Sequence, residues 1–552
     1  MLGRPLDPES AEVLHPTTGG YPLFVIEAVR AMAEPGAPVQ PAGKLNEILQ
    51  RRLAQASPTA QEVAGLAASV GRYFSLDLLV EASDADGQDV VQAVDELWRR
   101  RILREARQGY DFSHDLIREA AYSAVSPPKR WLLHRRIAQA LELLHGEDRD
   151  SVSAHLAEQY ERGGRADRAI TYYRAAARSA SAVFAHLDAI RMHEKALGLI
   201  RAMPPGPNRD AQELAVLEQL AAPLNARFSY ASTRLQQTLE RAVELSERLG
   251  RTDSLLNGLA ALWTSRFVQG RTAESYAVAV RALALVDPDA RASVPGHFAV
   301  GGTAVSLGRP AEAVRHLRMA TELSGEVHSL SVGTRPDVHA RAWMAHAHWL
   351  LGDDAAATEC SRHAVTLARR IEHPYSLTVA LAYAAITRQL QDDRELLGAT
   401  VDELIDLCTR YDFAYYSDWG RVLRGWVRDD IDEARRGVDS LKAAGSLARM
   451  PYWLWLVADL HARDGRTDRA RATLDAALVT AEAYDDLWWA PEVMRARARL
   501  DPPAESAVRL RQAADLARRQ GSVALADRCE ADRARLPDCL SAPNATATPA
   551  ER

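Results

Sequence analysis

The sequence predicts a mainly α protein: a long α-solenoid of stacked helical hairpins, preceded by a small domain of helices that ends in a β-hairpin. The first observation behind this is a repeated glycine step. Gly164 is followed by Ala169, Tyr173 and Ala176; Gly308 by Ala313, Leu317 and Ala320; Gly352 by Ala357, Ser361 and Ala364; Gly465 by Ala470, Leu474 and Ala477, always at +5, +9 and +12. A glycine ends one helix in a left-handed turn, and small residues on the next helix let a neighbour approach closely. The second is a different rhythm over residues 44–125. The third is length: 552 residues are too many for one core, so at least two folding units are expected.

Residues 1–43 begin with Asp7-Pro8-Glu9, which starts a helix that ends near Thr17-Thr18-Gly19-Gly20. Pro22 opens a second helix to Met32, and Glu34 to Pro41 is a linker by composition. In 44–125, Leu45, Ile48, Leu49 and Leu53 form a helical stripe, Ser57-Pro58 starts a helix through Ala67, and Ser75 caps a short one from Leu76 to Glu81. Asp86 begins a fourth, with Val90, Val91, Val94 and Leu97 on its buried face. Ile102 to Glu105 and Tyr110 to Phe112, joined through Gln108-Gly109, read as a hairpin. Helices followed by a hairpin wing predict a winged-helix domain. Residues 126–150 hold a connecting helix, Arg130 to Leu144, after the Pro127-Pro128 break.

From 151 to 535 only helices are expected, in about eight or nine pairs. Gly270, Ser275, Ala279 and Ala282 follow the glycine step with one serine. Ala189/His193/Ala196, Ala434/Val438/Leu441 and Ala507/Arg511/Ala514 are partial matches without the glycine. Residues 536–552, rich in Ala, Pro and Thr, are expected to be a disordered tail.

Composition narrows the function. A net charge of −6 argues against a broad nucleic-acid surface. Cys360, Cys408, Cys529 and Cys539 contain no CxxC pair and read as isolated reduced thiols. No stretch approaches the ~20 apolar residues of a membrane helix, and the N-terminus lacks a signal-peptide core, so a cytoplasmic protein is expected. Four lysines stand against 64 arginines, a skew that reads as coding bias.

The spacing of Leu156, Tyr160, Gly164, Ala169, Tyr173 and Ala176 resembles the tetratricopeptide repeat; several other repeats are degenerate, so the array is tetratricopeptide-like. The segment from His15 to Val25, HPTTGGYPLFV, resembles the TGGxPLF segment closing the nucleotide-binding module of bacterial STAND-type regulatory ATPases. Phe112 to Tyr122, FSHDLIREAAY, resembles the winged-helix segment that follows it in that family. The resemblance implies that residues 1–43 are a remnant of the ATPase lid and linker, and that Gly20, Tyr21, Pro22 and His114 are nucleotide contacts. There is no P-loop: Gly36 to Gly43-Lys44-Leu45 has six residues between its glycines where four are needed, and Leu45 stands where Ser or Thr must hold magnesium. The chain therefore begins where the ATPase core would end. No catalytic residue and no cofactor is expected, with ATP or ADP relevant only if the missing core is supplied in cis or in trans.

For His114 the alternative to a phosphate contact is a surface side chain beside a Ser113 cap. Arg99, Arg100, Arg101 and Arg104 could meet DNA, but Asp89, Asp95 and Glu96 on the preceding helix oppose it. His339, His346 and His348 could suggest a metal, but residues two apart on a helix face different ways, so none is expected. Between Tyr411 and Trp489 stand 12 of the 35 aromatics. Tyr415, Tyr416, Trp419, Trp426, Tyr452, Trp453, Trp455, Trp488 and Trp489 are the candidates for a partner-binding groove, because consecutive pairs cannot both face one helix seam. Bulky packing between degenerate repeats is the alternative. The reading that results is a non-catalytic sensing arm binding a protein or small effector, concerned with transcriptional regulation. A stand-alone protein adaptor and a DNA-binding transcription factor are the alternatives; no membrane is involved, and direct nucleic-acid contact is not the expectation.

Overall fold

The computed structural model describes residues 45–536 apart from 108, 184, 229 and 325–333. The lid remnant with Gly20, Tyr21 and Pro22, the Gly36–Leu45 stretch and the tail beyond residue 536 fall wholly or almost wholly outside the described residues. The protein is mainly α, with 26 α-helices and one two-stranded hairpin among the described residues. It divides into two compact units, Met1–Val216 and Leu217–Arg552.

The first unit opens with α1 (Leu45–Ala54), α2 (Pro58–Val70), α3 (Leu76–Ala82) and α4 (Gly87–Arg99). Side-chain caps start three of them: Ser57 Oγ accepts from Ala60 N–H, Ser75 Oγ from Leu78 N–H, and Asp86 from Gln88 N–H. Val90, Val94 and Leu97 are buried on α4, but Val91 is 46% exposed, one position off the buried stripe. Strands β1 (Leu103–Ala106) and β2 (Gly109–Phe112) pair antiparallel, and Phe74 bridges to Tyr110, adding a short third segment. Next come α5 (Asp115–Ala124) and α6 (Pro127–His145). Pro127-Pro128 form the first turn of α6 instead of preceding it, because proline lacks only an N–H that would be orphaned there.

Then come α7 (Ser153–Arg162), α8 (Ala166–Ala182), α9 (His186–Arg201) and α10 (Pro207–Phe228). The division between units falls within α10, not at residue 150, because the first repeats pack tightly with the helices before them. Gln159 on α7 donates to the Ser69 and Val70 carbonyls ending α2 (3.1 and 3.3 Å), and Arg135 donates to Gly163 O (2.7 Å).

The second unit continues as helical pairs. The inner members are α12 (Thr252–Val268), α14 (Val294–Ser306), α16 (Pro336–Leu350), α18 (Pro374–Leu390), α20 (Ala414–Val427) and α22 (Met450–Arg463). The outer members are α13 (Thr272–Leu283), α15 (Pro310–Ser324), α17 (Asp354–Ile371), α19 (Arg394–Tyr411), α21 (Ile431–Ala443) and α23 (Thr467–Tyr484). α11 (Thr233–Arg248) precedes them; α24 (Ala490–Ala498), α25 (Pro503–Gln520) and α26 (Val523–Arg533) close the array.

The glycine step is present as expected. Gly164, Gly270, Gly308, Gly352 and Gly465 all have φ between 68° and 85°, and the +5 residues Ala169, Ser275, Ala313, Ala357 and Ala470 are fully buried. Two further turns use aspartate. Asp429 (φ 56°) supplies the turn ahead of Ala434/Val438/Leu441, and Asp392 (φ 59°) that ahead of Leu397, Val401 and Leu404. Aspartate tolerates the left-handed region better than most side chains.

Outer helices bury one stripe, only four of eighteen residues in α19. Inner helices are buried nearly all round, twelve of fifteen residues in α16. The cause is that the second unit winds back on itself. Leu447 and Ala448 N–H donate to Val268 O (2.8 and 3.1 Å), and Leu487 and Trp488 N–H to Ser306 O (2.7 and 3.1 Å). Ser522 Oγ donates to Leu350 O (3.4 Å) and Arg528 to Leu390 O (2.9 Å). The acceptors are last-turn carbonyls of α12, α14, α16 and α18, which lack partners within their own helices.

These contacts give some glycines a second duty. A Cβ on Gly270 would sit 3.0 Å from Leu447 Cβ, whereas one on Gly465 would meet nothing. Gly465→Ala should therefore cost about 1 kcal/mol, the left-handed penalty alone. Gly270→Ala should cost about 2–3 kcal/mol, because it also pushes the winding contact apart. Urea denaturation of both variants would measure this; equal losses would show that the winding contact contributes nothing.

Candidate functional site

The inner helices carry a continuous run of rings. Trp263 of α12 packs on Phe298 of α14 (centroids 5.5 Å apart), Phe298 on Trp343 of α16 (5.2 Å), and His339 on Tyr383 of α18 (5.0 Å). Tyr383 packs on Trp419 of α20 (5.5 Å), and Trp419 on Trp453 of α22 (5.1 Å). Tyr452 packs on Trp488 (5.4 Å), which packs on Trp489 (4.9 Å). Trp419, Tyr452, Trp453, Trp488 and Trp489 are all at most 1% exposed. They lie inside the unit and line no open groove.

Consecutive aromatics do not divide between seam and groove here, for two separate reasons. Trp488-Trp489 precede α24 and sit in a connection, where both can turn inward. Tyr452-Trp453 are within α22, which is enclosed by inner helices on one side and the returning turn on the other. Trp455 is 6% exposed and packs edge-to-face with Trp489 (5.2 Å). Trp426 belongs elsewhere: its indole N–H donates to Asp459 (2.8 Å), with Arg394 and Arg463 over its ring.

Tyr415 and Tyr416 do line a cavity. Its walls include Tyr230, Trp263, Phe298, His339, Trp343, Tyr375 and Tyr383, and it has a volume of about 50 Å³. Among the described residues that line it, His339 is the one acidic or basic side chain. Tyr230, Tyr375 and Tyr415 are only partly buried, and so edge its open side.

Behind Tyr383 lies Arg449, 1% exposed, with φ 60° at the start of α22. Its guanidinium sits 5.1 Å from the Tyr383 ring centre, 5.2 Å from Trp488 and 5.8 Å from Trp419. None of its three nitrogens has a hydrogen-bond partner. Cation–π contacts offset the lost hydration by roughly 0.5–2 kcal/mol each, against several kcal/mol for burying an ion. The two other buried arginines contrast with it. Arg335 pairs with Asp337 (2.7 Å), and Arg495 with Glu492 (2.5 Å) and Asp532 (2.6 Å).

Arg449 also shapes its neighbours. Burial pushes Asp486 up to about 7, with the Arg449 charge and peptide N–H pulling the other way. Burial, then the Arg449 charge, hold His339 down at about 3 and His346 well below its ordinary range. Burial keeps the Tyr375, Tyr383, Tyr415 and Tyr416 phenols protonated. The indole N–H groups of Trp343, Trp419, Trp453, Trp455, Trp488 and Trp489 are buried without partners, as are both ring nitrogens of His339. The interior is thus rich in donors and poor in acceptors.

Sequence reasoning did not select Arg449, Asp486, Tyr383, Trp343 or Trp263. Nothing local marks them, since their environment is made by residues on other turns.

In the first unit, His114 caps α5 itself: its Nδ1 accepts from Leu116 N–H (3.2 Å), while Ser113 Oγ donates to Arg101 O (2.8 Å). Ser113 is not the cap, and His114 is exposed. Asp115 pairs with Arg72, which with Arg118 keeps its carboxyl below the usual range. Arg99, Arg100 and Arg104 pair with Asp95, Glu96 and Asp111, so three of the four candidate DNA-facing arginines have acidic partners. His346 points inward, donating to Tyr383 O (3.0 Å), while His348 lies near Asp353. Among the described residues, no three His, Cys, Asp or Glu side chains gather as a metal site would require, and no helix is long and apolar enough to cross a membrane.

This architecture is that of a tetratricopeptide-like helical-repeat protein. No known protein-family profile matches the chain. An uncharacterized protein of Rhizobium meliloti (strain 1021) is 25% identical over 556 residues, covering 94% of this chain and 54% of that protein. The chain thus spans about half the length of this curated relative. Among solved structures it is similar to a STAND protein with a tetratricopeptide repeat sensor from Pyrococcus horikoshii (13% identity, TM-score 0.33, covering 82% of this chain and 71% of that one). It is also similar to a Rap protein complexed with competence and sporulation factor (14%, 0.44, 61% and 98%) and to aspartyl phosphate phosphatase F from Bacillus subtilis (11%, 0.35, 65% and 94%).

The pH dependence of the interior follows from these groups. Asp486 has a folded value near 7, above the ~3.9 of a free aspartate, so its penalty is absent below about pH 4 and complete above about pH 7. Asp486→Asn should therefore stabilise the protein on the order of 3 kcal/mol at pH 8, with the gain shrinking steadily towards pH 4. His339 works the other way: its neutral form favours folding above about pH 6.5, and that contribution is lost as pH falls towards 3. Denaturation of the variant and parent at pH 8 and pH 5 separates the two; a pH-independent Asp486→Asn effect would refute the assignment.

Proposed function

We propose that the chain is the non-catalytic sensing arm of a STAND-type signalling ATPase. In this reading the helical repeats bind a protein or small effector, and a winged-helix domain relays occupancy to a nucleotide-binding core, in the cytoplasm and in the service of transcriptional regulation. The observation that carries it is the aromatic cavity of the second unit, among whose lining residues His339 and Trp343 have buried ring nitrogens without partners. The TGGYPLF and FSHDLIREAAY segments support the STAND assignment. The helices and hairpin of residues 45–124, with the Phe74–Tyr110 bridge, suit a winged helix.

A relay needs a stiff joint, and the first unit contains one. Tyr122 donates to His134 Nε2 (2.9 Å), and His134 Nδ1 donates to Gln159 Oε1 (2.7 Å). Gln159 in turn holds the end of α2, and His155 donates to Val70 O (3.1 Å). Burial keeps both histidines below their ordinary range, so the network is neutral and directional. The acid partners of Arg99, Arg100 and Arg104 weigh against the DNA-binding alternative.

The test is the genomic DNA upstream of Met1. An in-frame P-loop with a Ser or Thr after its lysine is expected. A stop codon with no such segment, together with no ATP binding by the purified chain at about millimolar nucleotide, would leave the stand-alone adaptor as the function.

A further inference from the structure

We propose that the α8–α9 hairpin of the first unit carries a site for a phosphoryl dianion, formed by Arg174 and Arg178 together with His193. Arg174 and Arg178 stand four residues apart on α8, so their side chains share one face. Arg174 is at the middle of α8 and His193 at the middle of α9, and the short loop between the two helices brings them to one level. His193 takes the place in the repeat step that Tyr173, Leu317 and Leu474 fill elsewhere. It is buried as they are, 1% exposed, but it carries two nitrogens into a position where the others pack rings or methyl groups.

These three bases lack what their neighbours have. Around them Arg165 pairs with Asp167 (3.0 Å), Arg168 with Glu142 (3.2 Å), Arg191 with Asp188 (3.1 Å) and Lys195 with Glu161 (3.3 Å). Arg174 is half-buried, and its Nε is enclosed with no acceptor. Burial, and then the Arg178 charge, lower its pKa, and no carboxylate among the described residues offsets them. The Nδ1 of His193 is likewise buried without a partner. Burial, followed by the charges of Arg174 and Arg178, brings its pKa down to about 4, so the ring is neutral. Residues 183–185, which join the two helices, read Val-Phe-Ala and bring no acid.

The count of charges selects the ligand. Two uncompensated guanidinium groups call for two negative charges, and a phosphate monoester carries them on one tetrahedral centre with oxygens for both forks. A carboxylate would leave one arginine unpaired. Arg178 is exposed and Arg174 half-buried, so the anion reaches both from solvent and needs no deep cavity. His193 is neutral without the anion and gains a proton more readily beside it, which adds a third positive charge.

The probes are inorganic phosphate and the peptide acetyl-Gly-phosphoserine-Gly-amide, with acetate as the singly charged control. They are titrated calorimetrically into the full chain at low ionic strength and about pH 8, where both phosphates are dianions. Phosphate should bind saturably and acetate about tenfold or more weakly. Arg174→Gln and Arg178→Gln should each weaken phosphate about tenfold, with the unfolding temperature unchanged or raised, because each removes a charge that has no partner. Should Arg174→Gln fail to fold, Arg178→Gln at its exposed position carries the test. Tighter binding of the phosphopeptide than of phosphate would assign the site to a phosphorylated side chain; the reverse order would assign it to free phosphate or a small phosphate ester. No saturable phosphate binding up to about 10 mM, acetate binding as tight as phosphate, or phosphate binding that neither variant weakens would each overturn the site. It lies in the first unit, so its failure leaves the upstream P-loop test of the sensing-arm reading untouched.

Discussion

Everything distinctive about the second unit depends on four carbonyls. Val268, Ser306, Leu350 and Leu390 end α12, α14, α16 and α18, or lie in their last turns, and an isolated helix would leave them to water. Here they accept from the next turn of the array: Leu447 and Ala448, Leu487 and Trp488, Ser522, and Arg528. That closure turns what would be a concave groove into an interior. It explains why inner helices bury nearly every residue and outer helices only a stripe. It also explains why tryptophans cluster there, since only large rings fill the space that a closing superhelix encloses.

The same closure makes the interior costly. Six indole N–H groups, the Arg449 guanidinium and both nitrogens of His339 are removed from water with no partner. Each buried donor left unpaired costs about 1–3 kcal/mol. The outside does not compensate through its ion pairs. The exposed pairs three residues apart, such as Arg362–Glu359 and Arg518–Asp515, contribute at most about 1 kcal/mol each. Stability must come from the alanine and ring packing of the closed turns.

How much of this was legible in the sequence follows from the range of each interaction. Hairpin turns are local, so the glycine step located them, and the buried alanines at +5 followed. Asp392 and Asp429 escaped because the pattern sought glycine where the backbone needed only a left-handed residue. His114 was misjudged for a similar reason: serine is the commoner cap, but the imidazole one residue later has the better reach. Arg449 could not be found at all. Its rings come from α18, α20 and the connection before α24, brought together by hydrogen bonds between residues as far apart as Leu350 and Ser522, 172 positions along the chain.

The winding also bounds what an occupant of the cavity can do. A ligand moves a conformational equilibrium only by its difference in affinity for the two states. The closing contacts comprise six hydrogen bonds to four carbonyls, each worth about 0.5–1.5 kcal/mol net. Loosening one turn, for instance the pair on Val268, therefore costs on the order of 1–3 kcal/mol before packing is counted. Ring contacts across the same turns, such as His346 with Trp488 and Trp349 with Trp489, add to that cost, so an effector that opens a turn must bring a larger difference in affinity than the hydrogen bonds alone require.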